Sequence, residues 1–133
     1  MAGIELKEGG QLPEVIKKVV QENINRYAEA SRDFNPIHIN GEFAKKTQHG
    51  GTIAHGMLIL AYISEMMAAA FGRNWVTGGK LDVRFKAAAR PGETITVSGK
   101  ITRLVKSEGK TTVTCSVLCN NQKNEAIITG EAT

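Results

Sequence analysis

The period of the hydrophobic pattern changes near residue 78, helical before it and alternating after it. Pro13 to Val20 is β-branched enough to predict a first strand. From Glu22 to Ser31, Ile24, Tyr27 and Ala28 recur at helical spacing and predict a short amphipathic helix. That helix must stop before Pro36, because the residue ahead of a proline is pushed out of the helical region. Gly41 to Lys46 has the makings of one further turn. From Met57 to Phe71, thirteen of fifteen residues are apolar, interrupted only by Ser64 and Glu65, and Gly72 follows as a C-cap. At 1.5 Å per residue this predicts a helix of about 22 Å. Because it is apolar on nearly all sides, it is expected to be buried on nearly all sides.

Strands follow. Leu81, Val83 and Phe85 alternate with Asp82, Arg84 and Lys86. Ile95 and Val97 alternate with threonine and serine after the turn Arg90-Pro91-Gly92-Glu93. Beyond a hairpin at Ser107-Glu108-Gly109-Lys110, Val113, Cys115, Val117 and Cys119 form another apolar edge. Asn120 to Asn124 makes a turn, and Ala126 to Ala132 supplies a last strand. Sequential strands with short connections predict an antiparallel meander with one buried face. A long apolar helix against such a sheet is an α+β layer fold. Without repeats, low-complexity tracts or linkers, residues 1–133 read as a single domain.

Composition narrows the classes. Two domains in 133 residues would hold fewer than about 70 each, with thin cores. No apolar run reaches the roughly 18 residues of a membrane span, and the N-terminus lacks the basic-then-apolar order of a signal peptide, so a cytoplasmic protein without membrane association is expected. The net charge of +4 attracts anions, but the basic residues are scattered in runs of at most two. With 5% aromatics to stack bases, nucleic acid is not an expected partner. Cys115 and Cys119, four strand steps apart, would have Cα atoms about 13 Å from each other, beyond the ~7 Å reach of a disulfide. They are expected to be reduced core residues.

Two clusters could carry chemistry. Asp33-Phe34-Asn35-Pro36-Ile37-His38 places a carboxylate and an imidazole on a stiff segment expected to be non-helical, a pairing suited to moving protons near neutral pH. The same residues also read as a surface loop in which Asp33 and Asn35 satisfy backbone groups. Thr52-Ile53-Ala54-His55-Gly56-Met57 opens the apolar helix, where unpaired N–H groups carry partial positive charge. Gly56 would let a ligand approach its N–H as in an oxyanion hole, or His55 and Gly56 simply let the chain enter the core. No metal is expected, since His38, His49 and His55 lack the spacing of a helical zinc motif and no thiolate lies near them in sequence. No phosphate-binding loop or nucleophile elbow is present, and no cofactor is implied.

Read together, Tyr27-Ala28-Glu29-Ala30-Ser31-Arg32-Asp33-Phe34-Asn35-Pro36-Ile37-His38 and Ile53-Ala54-His55-Gly56-Met57-Leu58 resemble the MaoC-like, (R)-specific enoyl-CoA hydratase family from about residue 12 to the C-terminus. The resemblance implies a hot-dog fold, an antiparallel sheet around one long helix, in subunits that pair as homodimers or dimers of dimers with the acyl pocket at the interface. It implies hydration of trans-2-enoyl thioesters, or dehydration of (R)-3-hydroxyacyl thioesters, carried by CoA or acyl-carrier protein in fatty-acid metabolism. Asp33 and His38 become the catalytic pair holding a water, Asn35 orders them, and the Gly56 N–H binds the thioester oxygen. His55 and Ser64 are candidates for orienting or lining the site, although the Ser64 hydroxyl could equally bond its own helix backbone. Arg32 stands where the family usually has Gly, Asn40 where Asp is common, and Gln48-His49-Gly50 where Phe-Gly is frequent. Two alternatives share the fold: an acyl thioesterase and a non-catalytic acyl-thioester-binding subunit.

Overall fold

A computed structural model describes residues 6–133, so the first five positions of the expected domain, with much of the stretch read for a targeting signal, lie outside the described residues. Strand β1 (Val15–Lys18) leads into helices α1 (Gln21–Ser31), α2 (Pro36–Ile39) and α3 (Gly41–Lys45). Helix α4 (Gly56–Phe71) and the short α5 (Arg73–Gly78) precede strands β2 (Leu81–Phe85), β3 (Thr94–Ser107), β4 (Lys110–Asn120) and β5 (Ala126–Ala132). The strands form one antiparallel sheet in the order β1-β3-β4-β5-β2.

The alternation seen in the sequence is what the sheet buries. Ile95, Val97 and Ile101 of β3, Cys115, Val117 and Cys119 of β4, and Ile128 and Ala132 of β5 are buried, as are Ile59, Ile63, Met66, Met67 and Ala70 of α4. These residues belong to one apolar cluster. A register shift between Ile101 and Arg103 interrupts the long β3–β4 ladder, and bulges of this kind bend a strand. Glu108 and Gly109 both have positive φ, as a two-residue hairpin turn with right-handed twist demands.

Three expectations need correction. Only β3, β4 and β5 form a meander, because β2 pairs with β5 at the far edge rather than with β3. The cause is the connection from Lys86 to Glu93, which crosses the end of the sheet instead of turning back. Its backbone bonds successively to Ile127, Ala54 and Val19. Helix α4 is not enclosed on all sides: Met57 is 56% exposed, and Ala61, Glu65 and Ala69 leave an open strip along it. One sheet can cover only one face, and alanines count as apolar while having little surface to hide. Helix α5 was not expected, being a six-residue element with little periodicity to read.

The two polar interruptions in α4 each have a partner. Glu65 forms an ion pair of 2.9 Å with Lys17 of β1, and the Ser64 hydroxyl accepts a 2.9 Å hydrogen bond from the Trp75 indole N–H.

Cys115 and Cys119 are free and buried, and burial raises their thiols to about 11 and about 12 respectively. Unfolded thiols ionise near 9, so between that pH and about 11 the native state holds more protons than the unfolded one. Stability attributable to these thiols should therefore be constant below pH 8 and fall as pH rises above 9. Denaturant titrations across pH 7–11 will show this decline, and Cys115→Ser/Cys119→Ser should flatten it. A thiol reagent should label neither cysteine until the protein unfolds.

Candidate active site

The site begins at the end of α1. Arg32 takes the left-handed C-cap conformation with φ 64° and ψ 22°, turning the chain so that Asp33 leaves the helix. A residue with a Cβ incurs about 1–2 kcal/mol there. Arg32→Gly recovers this less the roughly 0.5–1 kcal/mol of extra chain entropy that glycine loses on folding. The substitution should stabilise the protein by about 0.5–1 kcal/mol, read from the denaturation midpoint.

Asp33 is exposed, and its Oδ1 accepts a 3.2 Å hydrogen bond from the Asn35 N–H. Asn35 is the N-cap of α2: its Oδ1 accepts from the Ile37 N–H at 3.2 Å, with Pro36 in the first helical position. The segment read as non-helical is thus a single helical turn, Pro36–Ile39, and that turn carries the His38 side chain inward to 8% exposure. A four-residue helix offers no periodicity, and proline at its start looks like a stop when it is a beginning.

His38 and His55 brace the two clusters reciprocally. His38 Nδ1 lies 2.8 Å from the Ile53 carbonyl oxygen, which can only accept, so Nδ1 carries a proton and, in the neutral ring, Nε2 keeps the lone pair. By the same reasoning His55 Nε2, 3.0 Å from the Asp33 carbonyl oxygen, is the protonated nitrogen of that ring. The Ile53 N–H donates to the Ile37 carbonyl at 3.1 Å and completes the link. The imidazoles stack with centroids 3.9 Å apart and planes 26° from parallel. Tyr27 of α1 packs on His55 at 4.8 Å with a 57° tilt.

One potential ligand atom from each of Asp33, His38 and His55 lies within 4.8 Å of the other two. The two imidazoles stack nearly parallel at 3.9 Å, so their in-plane lone pairs run side by side and do not converge on one point, as the ligands of a tetrahedral zinc must. A water donating both hydrogens, ~2.8 Å from each acceptor at its bent angle, spans roughly 4.4 Å, close to the 4.8 Å limit of this cluster, so the arrangement suits a shared water.

Beside the pair is a cavity of about 300 Å³ lined by His38, Ile53, Gly56, Ile59, Phe85 and Ile127, together with residues 86–89. Gly56 opens the sixteen-residue α4, and among the described residues no acceptor takes its N–H. A Cβ there would stand 2.9 Å from Phe85 Cε1, so the aromatic ring lies close against the glycine. Of the residues read from the sequence, the fold brings Asp33, His38 and His55 together, with Asn35 bonded to Asp33; His38 and Gly56 line the cavity, whereas Asp33, Asn35 and His55 lie outside its lining. Ser64 sits two turns further along α4, bonded to Trp75 and outside the cavity lining. Sequence reading missed Phe85 and the alanine-rich crossing 87–89, which no local motif marks; the run of small residues between two strands was their only sign.

The sheet wrapped on one face of a long helix, with a carboxylate–imidazole pair beside that helix's N-terminus, defines a hot-dog domain. The MaoC-like domain model matches residues 7–122, and the chain belongs to that family. It is 32% identical over 131 residues to an (R)-specific enoyl-CoA hydratase of Rhodospirillum rubrum, covering 97% of this chain and 87% of that protein. It is also 32% identical over 130 residues to a mitochondrial 3-hydroxyacyl-[acyl-carrier-protein] dehydratase of Arabidopsis thaliana, covering 96% and 76%. The unliganded R-hydratase of Pseudomonas aeruginosa superposes with a TM-score of 0.84 at 26% identity, over 96% of this chain and 80% of that one.

Proposed function

We propose that the protein is a hydro-lyase that reversibly hydrates trans-2-enoyl thioesters to (R)-3-hydroxyacyl thioesters, with Asp33 and His38 as catalytic residues. The observation that carries this reading is the clustering of the Asp33 carboxylate and the His38 imidazole, with ligand atoms within 4.8 Å, where His38 shares a cavity with Gly56, whose N–H has no acceptor among the described residues. The two acceptors hold a water by both its hydrogens. As the water oxygen bonds to C3, one of them takes a proton and electron density moves through C2 to the thioester oxygen, where the Gly56 N–H stabilises it. The proton then passes to C2, the thioester carbonyl re-forms, and the pair regains its starting charge.

The substrate carrier bears phosphate, as CoA or an acyl-carrier protein does, and the net charge of +4 supports an anionic partner, as does the exposed Lys86 at the cavity wall. No cofactor takes part. We place the enzyme in the cytoplasm as a homodimer. Support for pairing comes from the half-exposed Phe34, Met57 and Phe85 around the site and from the open strip of α4. Among the described residues, no helix is long and apolar enough to cross a membrane.

Mixing the protein with a short trans-2-enoyl-CoA should bleach the enone absorbance without releasing free thiol. Thiol release would identify a thioesterase, and acyl-thioester binding without turnover would identify a non-catalytic subunit; either result overturns the proposal.

A further inference from the structure

His55 is 2% exposed, and its Nδ1 is a buried polar atom without a hydrogen-bond partner. Buried polar groups are normally satisfied, and an orphan beside a reaction centre calls for an explanation. The residue is the N-cap of α4, yet its side chain makes no capping bond. Its ring turns away from the helix to donate from Nε2 to the Asp33 carbonyl oxygen, 22 residues earlier in the chain. A residue placed only to begin a helix would do neither.

The remaining contacts explain the choice of side chain. One ring face is occupied by His38 and another side by Tyr27, so the imidazole sits in an aromatic sandwich with little freedom to rotate. A flat ring is needed for the stack, and a donor at the Nε2 position is needed for Asp33. Histidine supplies both at the cost of leaving Nδ1 unpaired. Asp33 lies on an exposed loop whose other local ties are 3.2–3.3 Å contacts to the neighbouring Ser31 and Asn35, so the His55 bond is its one long-range anchor among the described residues.

Resting on the hydratase reading above, we propose that His55 is the positioning residue of the site. Its Nε2–H holds the Asp33 main chain, and its stacked ring holds His38, so that one side chain sets the carboxylate–imidazole separation on which the shared water depends. His55 is absent from the cavity lining, so the role assigned to it is positioning and not contact with substrate. A misplacement of about 1 Å in such a pair can lower turnover about 100-fold, whereas substrate binding, made elsewhere in the cavity, should hardly change.

His55→Phe keeps a flat buried ring and removes the orphan nitrogen but cannot donate, whereas His55→Gln restores a donor at the Nε2 position. The Phe variant should remain folded with kcat lowered about 10- to 100-fold and KM within about twofold, and the Gln variant should regain at least part of that kcat. Wild-type kcat in His55→Phe, or a Gln variant no better than the Phe variant, would overturn the proposal. Independently of any substrate, nitrogen-15 NMR of the histidine rings should show His55 as the Nε2–H tautomer and His38 as the Nδ1–H tautomer. A His55 proton on Nδ1 would sink the positioning role even if the protein proves to be no hydratase. Absence of turnover in the wild type, with both tautomers as expected, would instead reject the hydratase reading alone.

Discussion

Asp33→Asn and His38→Asn should each lower enoyl-thioester hydration about 100- to 10,000-fold, the usual size of a lost general acid–base contribution. Both substitutions spare the fold by design. Asparagine at 33 retains an oxygen to accept from the Asn35 N–H, and the position is exposed, so its stability should stay within about 0.5 kcal/mol of wild type. Asparagine at 38 offers an amide N–H near the place of Nδ1, preserving the bond to the Ile53 carbonyl, but has nothing at Nε2. Removing the ring also strips one face of His55, so a stability loss of about 1–2 kcal/mol is expected and must be measured alongside turnover. Turnover that survives in both variants would mean that the water is activated elsewhere.

Gly130→Ala should give the largest loss of stability, about 3 kcal/mol, seen as a lower denaturation midpoint. Gly130 of β5 pairs with Val83 of β2 on one side and Val117 of β4 on the other. A Cβ would collide with the Asp82 carbonyl oxygen and stand 2.7 Å from the Val83 Cα. These are backbone atoms, so no side chain can swing aside and β2 itself must move. Phe85, the last residue of β2, lines the cavity and packs on Gly56, so turnover should fall with stability. By contrast, a Cβ at Gly56 would meet only the movable end of Phe85. A stability change under about 0.5 kcal/mol in Gly130→Ala would show that the edge strand is free to retreat.

The long helix and the strands were legible because each repeats its signal. Thirteen apolar residues in fifteen cannot be an ordinary strand, and alternation from Val113 to Cys119 places one set of side chains on one face whatever lies beyond it. Asp33, Asn35, His38 and Gly56 were legible as candidates because proline and glycine mark unusual backbone near chemically capable groups. Their roles came from the resemblance, not from spacing. The turn Pro36–Ile39 was hidden because one turn has no period. The position of β2 was hidden because an eight-residue crossing and a returning turn look alike until the bonding partners of their backbone are known.

Periodicity alone thus determined the repeating elements of this protein, the helices α1 and α4 and the strands after residue 80, and which face of each strand seeks the core. Three-dimensional packing alone decided which β2 neighbour the crossing selects, that Ser64 serves Trp75, and that two histidines seventeen residues apart stack at 3.9 Å while each holds the other's segment. The physical reason is range. Repeating local sterics and burial preferences are written in every few residues, whereas a hydrogen bond between distant segments exists only after the whole sheet has brought them within 3 Å.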